Sequence, residues 1–182
     1  QRITAAVVWI LHTAGHTGVI GQMDDFAIFA PTRENCQQQF EALESLLLEL
    51  GFSPHPPGAG ESKRSEAPTQ RLVLSGILWD SENMQMALDS VKINRIQNKI
   101  EIFRQNSDTT LNEVQRLGGL LSWASDMIDG GRTFTQHLWN LTSGSARKPH
   151  HHLRLTVQVF SDLDWWQENL ILFNGTAHPL PA

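Results

Sequence analysis

A single cysteine, Cys36, excludes an internal disulfide framework and any zinc site built on several thiolates. One thiol in 182 residues fits a reducing, intracellular compartment, cytoplasmic or nuclear. No apolar run approaches the ~18–20 residues that a membrane-spanning helix needs. No basic, apolar, small-residue leader opens the chain. The expectation is therefore no membrane and no disulfide partner. Positive charge is also scarce: 14 Lys and Arg against 19 Asp and Glu leave a formal charge of −5. That argues against a uniformly basic nucleic-acid coat. The deficit is uneven, with 5 basic and 11 acidic residues over 1–90 but 9 and 8 over 91–182. The first half suits cations and the second can meet a polyanion through local patches, although an ordinary solvated surface gives the same counts. What remains is globular: 40% hydrophobic and 18% charged residues, enough for one domain or two small ones.

Ile3, Val7, Ile10 and Leu11 recur at helical spacing before Gly15 and Gly18. Val19 to Ala30 is apolar on both sides of Asp24-Asp25, which reads as a β-hairpin with the acids at or beside its turn. Thr32 is an N-cap for a helix with the stripe Phe40, Leu43, Leu46, Leu47 and Leu50, closed by Gly51. Residues 53–70 hold four of the eight prolines and read as a loop. Arg71 to Asp80 reads as one strand, Ser81-Glu82-Asn83 as a turn, and Met84 to Leu88 as a second strand. From Ser90 the period is helical, with Ile93, Ile96, Ile100 and Phe103 on one face. Thr110 and Glu113 form a capping box for a helix whose apolar face is Leu111, Val114, Leu117, Leu121 and Ala124. A shorter helical piece spans Phe134 to Leu141, Ser143 to Pro149 is a polar link, and Ser161 to Phe173 is a Trp-rich helix.

Two adjacent carboxylates repel by about 1 kcal/mol in water and by more where the dielectric falls. A divalent cation removes that penalty. Mg²⁺ favours oxygen ligands and is held by one or two carboxylates plus substrate phosphates. Successive strand side chains point to opposite faces, so a complete site needs a turn or an acid from elsewhere. An exposed hairpin tip without metal is the commoner meaning of a bare Asp-Asp.

The order of motifs narrows this. Gln22-Met23-Asp24-Asp25-Phe26 between aliphatic arms resembles the aromatic-X-Asp-Asp hairpin of reverse transcriptases. It is followed in order by Leu50-Gly51-Phe52, Glu61-Ser62-Lys63, Pro68-Thr69-Gln70, Leu74 to Ser81, Met84 to Leu88, Lys92, Thr110 to Ala124, Gly131-Arg132-Thr133-Phe134, His151 to Leu155, Asp162 to Trp166 and Phe173-Asn174-Gly175. This series resembles the polymerase region of DIRS-like, tyrosine-recombinase retrotransposons over nearly the whole chain.

The resemblance implies an α+β fold: an incomplete palm of antiparallel sheet with helices, followed by a helical thumb and a connection. The implied limits are 1–90 for the rear palm, 91–148 for the thumb and 149–182 for a connection toward a ribonuclease H region. It implies RNA-directed DNA polymerase chemistry with Mg²⁺ or Mn²⁺, Asp24 and Asp25 being catalytic metal carboxylates. Gln22, Met23, Lys63, Leu74, Gly76 and Trp79 would lie near substrate, Lys63 toward the incoming dNTP. The hairpin Leu74–Trp79 with Met84–Leu88 would grip the primer end. Lys92, Arg95, Lys99 and Arg116 would touch the backbone of an RNA/DNA template–primer duplex. Fingers and the other palm carboxylate would precede Gln1, so the chain alone is expected to polymerise nothing. An unpaired hairpin edge would make it poorly soluble. Gln22 replaces the family's aromatic and removes a flat apolar wall. A non-catalytic remnant that binds nucleic acid or protein is therefore the alternative. An unrelated Mg²⁺-dependent phosphohydrolase would need further acids at the hairpin.

The remaining conspicuous residues have plain readings. His150-His151-His152 is a polar connector, since adjacent residues diverge and no further ligand lies at metal spacing. Cys36 lacks a His or Asp partner by spacing and reads as an inert thiol. Trp79, Trp123, Trp165 and Trp166 sit in apolar frames and read as core rather than base-stacking platforms. Gly118-Gly119 costs about 1 kcal/mol per glycine in a helix, a penalty that close packing offsets.

Overall fold

Four helices begin where a short polar side chain turns back on the backbone. Thr32, Asp89, Thr110 and Thr156 each accept a hydrogen bond from the backbone N–H three residues ahead, which satisfies one of the unpaired donors of a first turn. At Thr110 the capping box is complete, because the Glu113 carboxylate accepts from the Thr110 N–H at 2.8 Å. The computed structural model describes residues 2–23, 25–54, 67–106, 108–143 and 148–176. Much of the proline-rich stretch, Lys63 included, therefore lies outside the described residues. The chain divides into two compact units, Gln1–Thr69 and Gln70–Ala182.

The first unit runs α1 (Arg2–Thr13), β1 (Val19–Gln22), β2 (Asp25–Ile28) and α2 (Arg33–Glu49). The strands pair antiparallel with Val19 opposite Ile28 and Gln22 opposite Asp25. That register puts Val19, Phe26 and Ile28 on the helix-facing side, where they join Val7, Leu11 and Leu43 in one core. Ile20, Gln22 and Asp25 share the other face, and all three are exposed. The α2 stripe is buried at Leu43 but ends early, since Leu50 is the C-cap and is exposed.

The second unit opens with an antiparallel sheet of β3 (Arg71–Leu74), β4 (Ile77–Asp80) and β5 (Gln85–Leu88), in that order. The single strand expected over Arg71–Asp80 is in fact a hairpin. Ser75 and Gly76 take φ of 54° and 81°, the left-handed pair a two-residue turn requires. Apolar residues on both sides obscure that turn, and the Ser75-Gly76 dipeptide is its one local signal. Helix α3 (Ser90–Gln105) follows, then β6 (Asp108–Thr110), α4 (Leu111–Ala124), a 3-10 turn over Gly131–Thr135, α5 (Gln136–Thr142), β7 (His152–Arg154) and α6 (Val157–Asn169). The expected helix at Ser161 begins four residues earlier because Thr156 caps it. The β6–β7 ribbon, with Thr109 opposite Leu153, is not legible in either tripeptide.

Every expected apolar position of α4 is buried, and Ile96, Ile100 and Phe103 of α3 meet them with Leu138, Leu163 and Trp166. Truncating one such Leu or Ile to Ala costs about 2–5 kcal/mol. Trp166 is fully buried and its Nε1 donates to the Phe134 carbonyl at 3.1 Å. Asp162 is buried and is held by His137 Nδ1 at 3.0 Å, which ties α5 to α6. Among the described residues no helix is long and apolar enough to cross a membrane.

The two glycines of α4 do different jobs. A Cβ at Gly118 would sit 3.2 Å from the Trp139 ring, whereas one at Gly119 meets nothing within 4 Å. Gly119→Ala should therefore raise stability by about 0.5–1 kcal/mol. Gly118→Leu should lower it by about 1–3 kcal/mol through overpacking. Urea unfolding of the two variants checks both, and equal effects would contradict the packing described.

Candidate functional site

In the first unit the hairpin turn is anchored by α1. The Thr4 hydroxyl donates to the Met23 carbonyl, and Met23 itself stands at φ 58°. The start of β1 is anchored by α2, because Gln39 Oε1 accepts from the Gly18 N–H at 2.8 Å while Gln39 itself is buried. His12 Nε2 lies 2.7 Å from the Val19 carbonyl oxygen. A hairpin held at its entry and its turn presents Gln22 and Asp25 on one rigid, exposed face. Asp24 lies outside the described residues. Met23 is exposed beside an apolar cleft of about 430 Å³ that Ile3, Val7, Phe26, Leu47 and Phe52 also line. Cys36 is half-buried beneath β2, and burial pushes its thiol above the ordinary value, which suits an inert group.

A metal demands converging ligands. Among the described residues no three His, Cys, Asp or Glu side chains come together to hold one. Asp25 offers a hard oxygen suited to Mg²⁺, but one carboxylate is not a site. The described donor set therefore does not complete a two-metal centre. His152 lies 3.5 Å from Asp108 across the β6–β7 ribbon, and His150 packs edge-on against His151.

In the second unit the structure gathers several predicted residues around the β3–β4 turn. Leu74 and Ile77 flank it, and Trp79 pairs with Leu72 and Met86 across the sheet. The stem of Lys92 crosses Gly76 so closely that any Cβ there would collide with it. The Lys92 ammonium then lies 5.7 Å from the centre of the Trp123 ring on α4, a cation–π arrangement. Gly76, Lys92 and Trp123 thus form one junction of turn, α3 and α4. Arg95 and Lys99 continue along α3 at helical spacing from Lys92, Arg95 exposed and Lys99 half-buried. Arg116 is exposed on α4 beside Gln115 and the open backbone at Gly119.

The far end of the sheet is braced by Asp80, which is 6% exposed. Its carboxylate accepts from the backbone N–H of Asn83 at 2.9 Å and of Glu82 at 3.1 Å, and from Asn83 Nδ2 at 3.0 Å. It also pairs with Arg71 at 3.1 Å. The Asn83 donors above all hold its pKa below the ordinary carboxylate value.

No protein-family model matches the chain. No curated protein matches it either. Among solved structures it is similar to a foamy viral protease–reverse transcriptase in complex with double-stranded DNA, with a TM-score of 0.69 and 21% identity. The similarity covers 96% of this chain and 28% of that one. The fold is therefore reverse-transcriptase-like, a mixed α+β arrangement of small antiparallel sheets and helices, and the chain spans little more than a quarter of that structure.

A depressed pKa means stability that is present above the ordinary value and lost as pH falls through the folded one. Thermal stability should therefore fall as pH drops below about 4. Asp80→Asn should flatten that acid dependence, and an unchanged pH profile would contradict the bracing role.

Proposed function

We propose that this chain is the rear palm (1–90), thumb (91–148) and connection (149–182) of an RNA-directed DNA polymerase from a DIRS-like retrotransposon, with a ribonuclease H region in the parent polyprotein. The continuity of the fold similarity over 96% of the chain supports the reading, together with the order of the motifs. Asp24 and Asp25 supply part of a Mg²⁺ or Mn²⁺ site, completed by a carboxylate from elsewhere in the polymerase. When bound, the metal neutralises charge on the dNTP phosphates. This chain's own residues position the partners. The rigid hairpin presents Asp25 outward with Gln22 and Met23 beside it, and Lys63 serves the triphosphate as a mobile point charge. Leu74, Gly76 and Trp79 face the primer end.

Lys92, Arg95, Lys99 and Arg116 meet phosphates of the RNA/DNA template–primer, and the bare backbone at Gly119 lets a duplex approach α4 closely. The chain alone does not polymerise. Gln22, an exposed amide where the family carries an aromatic, favours a second reading: a non-catalytic remnant that retains nucleic-acid or protein binding.

Joined to fingers and a complete palm, the chain should extend a primer on an RNA template. Asp24→Ala or Asp25→Ala should cut the rate by about 100-fold or more, and Gln22→Phe should raise it. No product with either Mg²⁺ or Mn²⁺ would remove the polymerase reading and leave the remnant. The 182-residue chain itself should bind an RNA/DNA duplex with a salt dependence that loses roughly one unit of log–log slope for each of Lys92→Ala and Lys99→Ala. Binding indifferent to salt would contradict a phosphate-contacting thumb.

A further inference from the structure

Among the described residues strand β5 has β4 on one side only, so its outer edge needs other partners. At Leu88 that edge is met by a side chain 86 residues away. Asn174 Oδ1 accepts from the Leu88 N–H at 2.8 Å, and Asn174 Nδ2 donates to the Leu88 carbonyl at 3.1 Å. The carboxamide presents one donor and one acceptor side by side, as a neighbouring strand would. Aspartate has the same shape but no donor.

The clasp is itself held in place. Phe173 stacks on Trp165 at 6.2 Å, and Trp165 stacks on Phe134 at 4.0 Å. Gly175, at φ 90°, turns the chain away with its Cα side facing Ala87 of β5. On the other side, the influence of Leu88 passes directly to its neighbour. The Asp89 N–H donates to the Gly76 carbonyl at 3.2 Å, and the Asp89 carboxylate caps α3 by accepting from the Lys92 N–H at 2.6 Å. An unbroken series of short contacts thus leads from Asn174 through Leu88 and Asp89 to the Gly76 turn and Lys92.

We propose that Asn174 is a positioning residue for the primer-gripping hairpin: as a one-residue strand on the open edge of β5, it sets the Gly76 turn and Lys92 where a primer end is held. The proposal rests on the polymerase reading and deepens it, because the segment that leads out of α6 becomes a brace for the substrate-facing turn of the sheet. The phosphate contacts assigned to Arg95, Lys99 and Arg116 lie outside this series, so binding at the primer end separates from most of the duplex contact.

The test uses the full chain and two labelled RNA/DNA duplexes of equal length, one with a recessed primer 3′ end and one blunt, titrated by fluorescence anisotropy. Asn174→Ala and Asn174→Asp should weaken binding to the recessed end by about two- to tenfold and change blunt-duplex binding by less than about twofold, since only Lys92 of the phosphate contacts is touched. Gly175→Ala keeps the amide but disfavours the backbone turn that carries it, and should reproduce the selective loss. Equal weakening on both duplexes would reduce Asn174 to a structural contact and overturn the proposal, as would no change on either. Should the unaltered chain bind neither duplex, the polymerase reading falls and the proposal falls with it.

Discussion

Burial of the α4 stripe is the constraint on which the larger unit depends. Leu111, Val114, Leu117, Leu121 and Ala124 are all within 5% of complete burial, and α3, α5 and α6 supply the atoms that cover them. Once α4 is oriented by that seam, its other features have fixed places. The capping box brings Glu113 back over Thr109 and Thr110 at the end of β6. Trp123 is set beneath the Lys92 ammonium, and the open backbone of Gly119 is left outward. The exposed face that carries Arg116 and Gly119 is thus oriented by apolar packing on the opposite side of the same helix.

Charge is handled locally throughout. Asp80 is met by Arg71 and turn amides, Asp162 is hydrogen-bonded to His137, and Arg104 meets Asp164 at 3.0 Å. These groups hold elements together. Lys92 is different: its ammonium is set over an aromatic ring beside the hairpin turn. The chain's overall negative charge is therefore compatible with a reading that needs only a short basic track on one helix.

The first unit solves another problem, that of holding a two-stranded hairpin rigid when so few strands are marginal alone. Helices α1 and α2 grip it through Val19, the Gln39 amide and the Thr4 hydroxyl. The hairpin that carries Asp25 is held by tethering rather than by sheet extension.

Local pattern determined the most here. Helix faces, the N-caps at Thr32 and Thr110, the Asp-Asp hairpin and the glycine closing α2 were legible because each depends on residues within one or two turns of chain. The ordered motifs pointed to a reverse-transcriptase-like fold by resemblance, and the structural comparison supports that fold. The Ser75–Gly76 turn was missed because its two-residue signal is brief and apolar residues continue on both sides of it. The β6–β7 ribbon, the His137–Asp162 pair and the Asn174 clasp were decided only by tertiary structure. Each joins residues 25 to 86 positions apart or pairs strands of three residues, and no local propensity records which distant backbone group a side chain will meet once the core has closed.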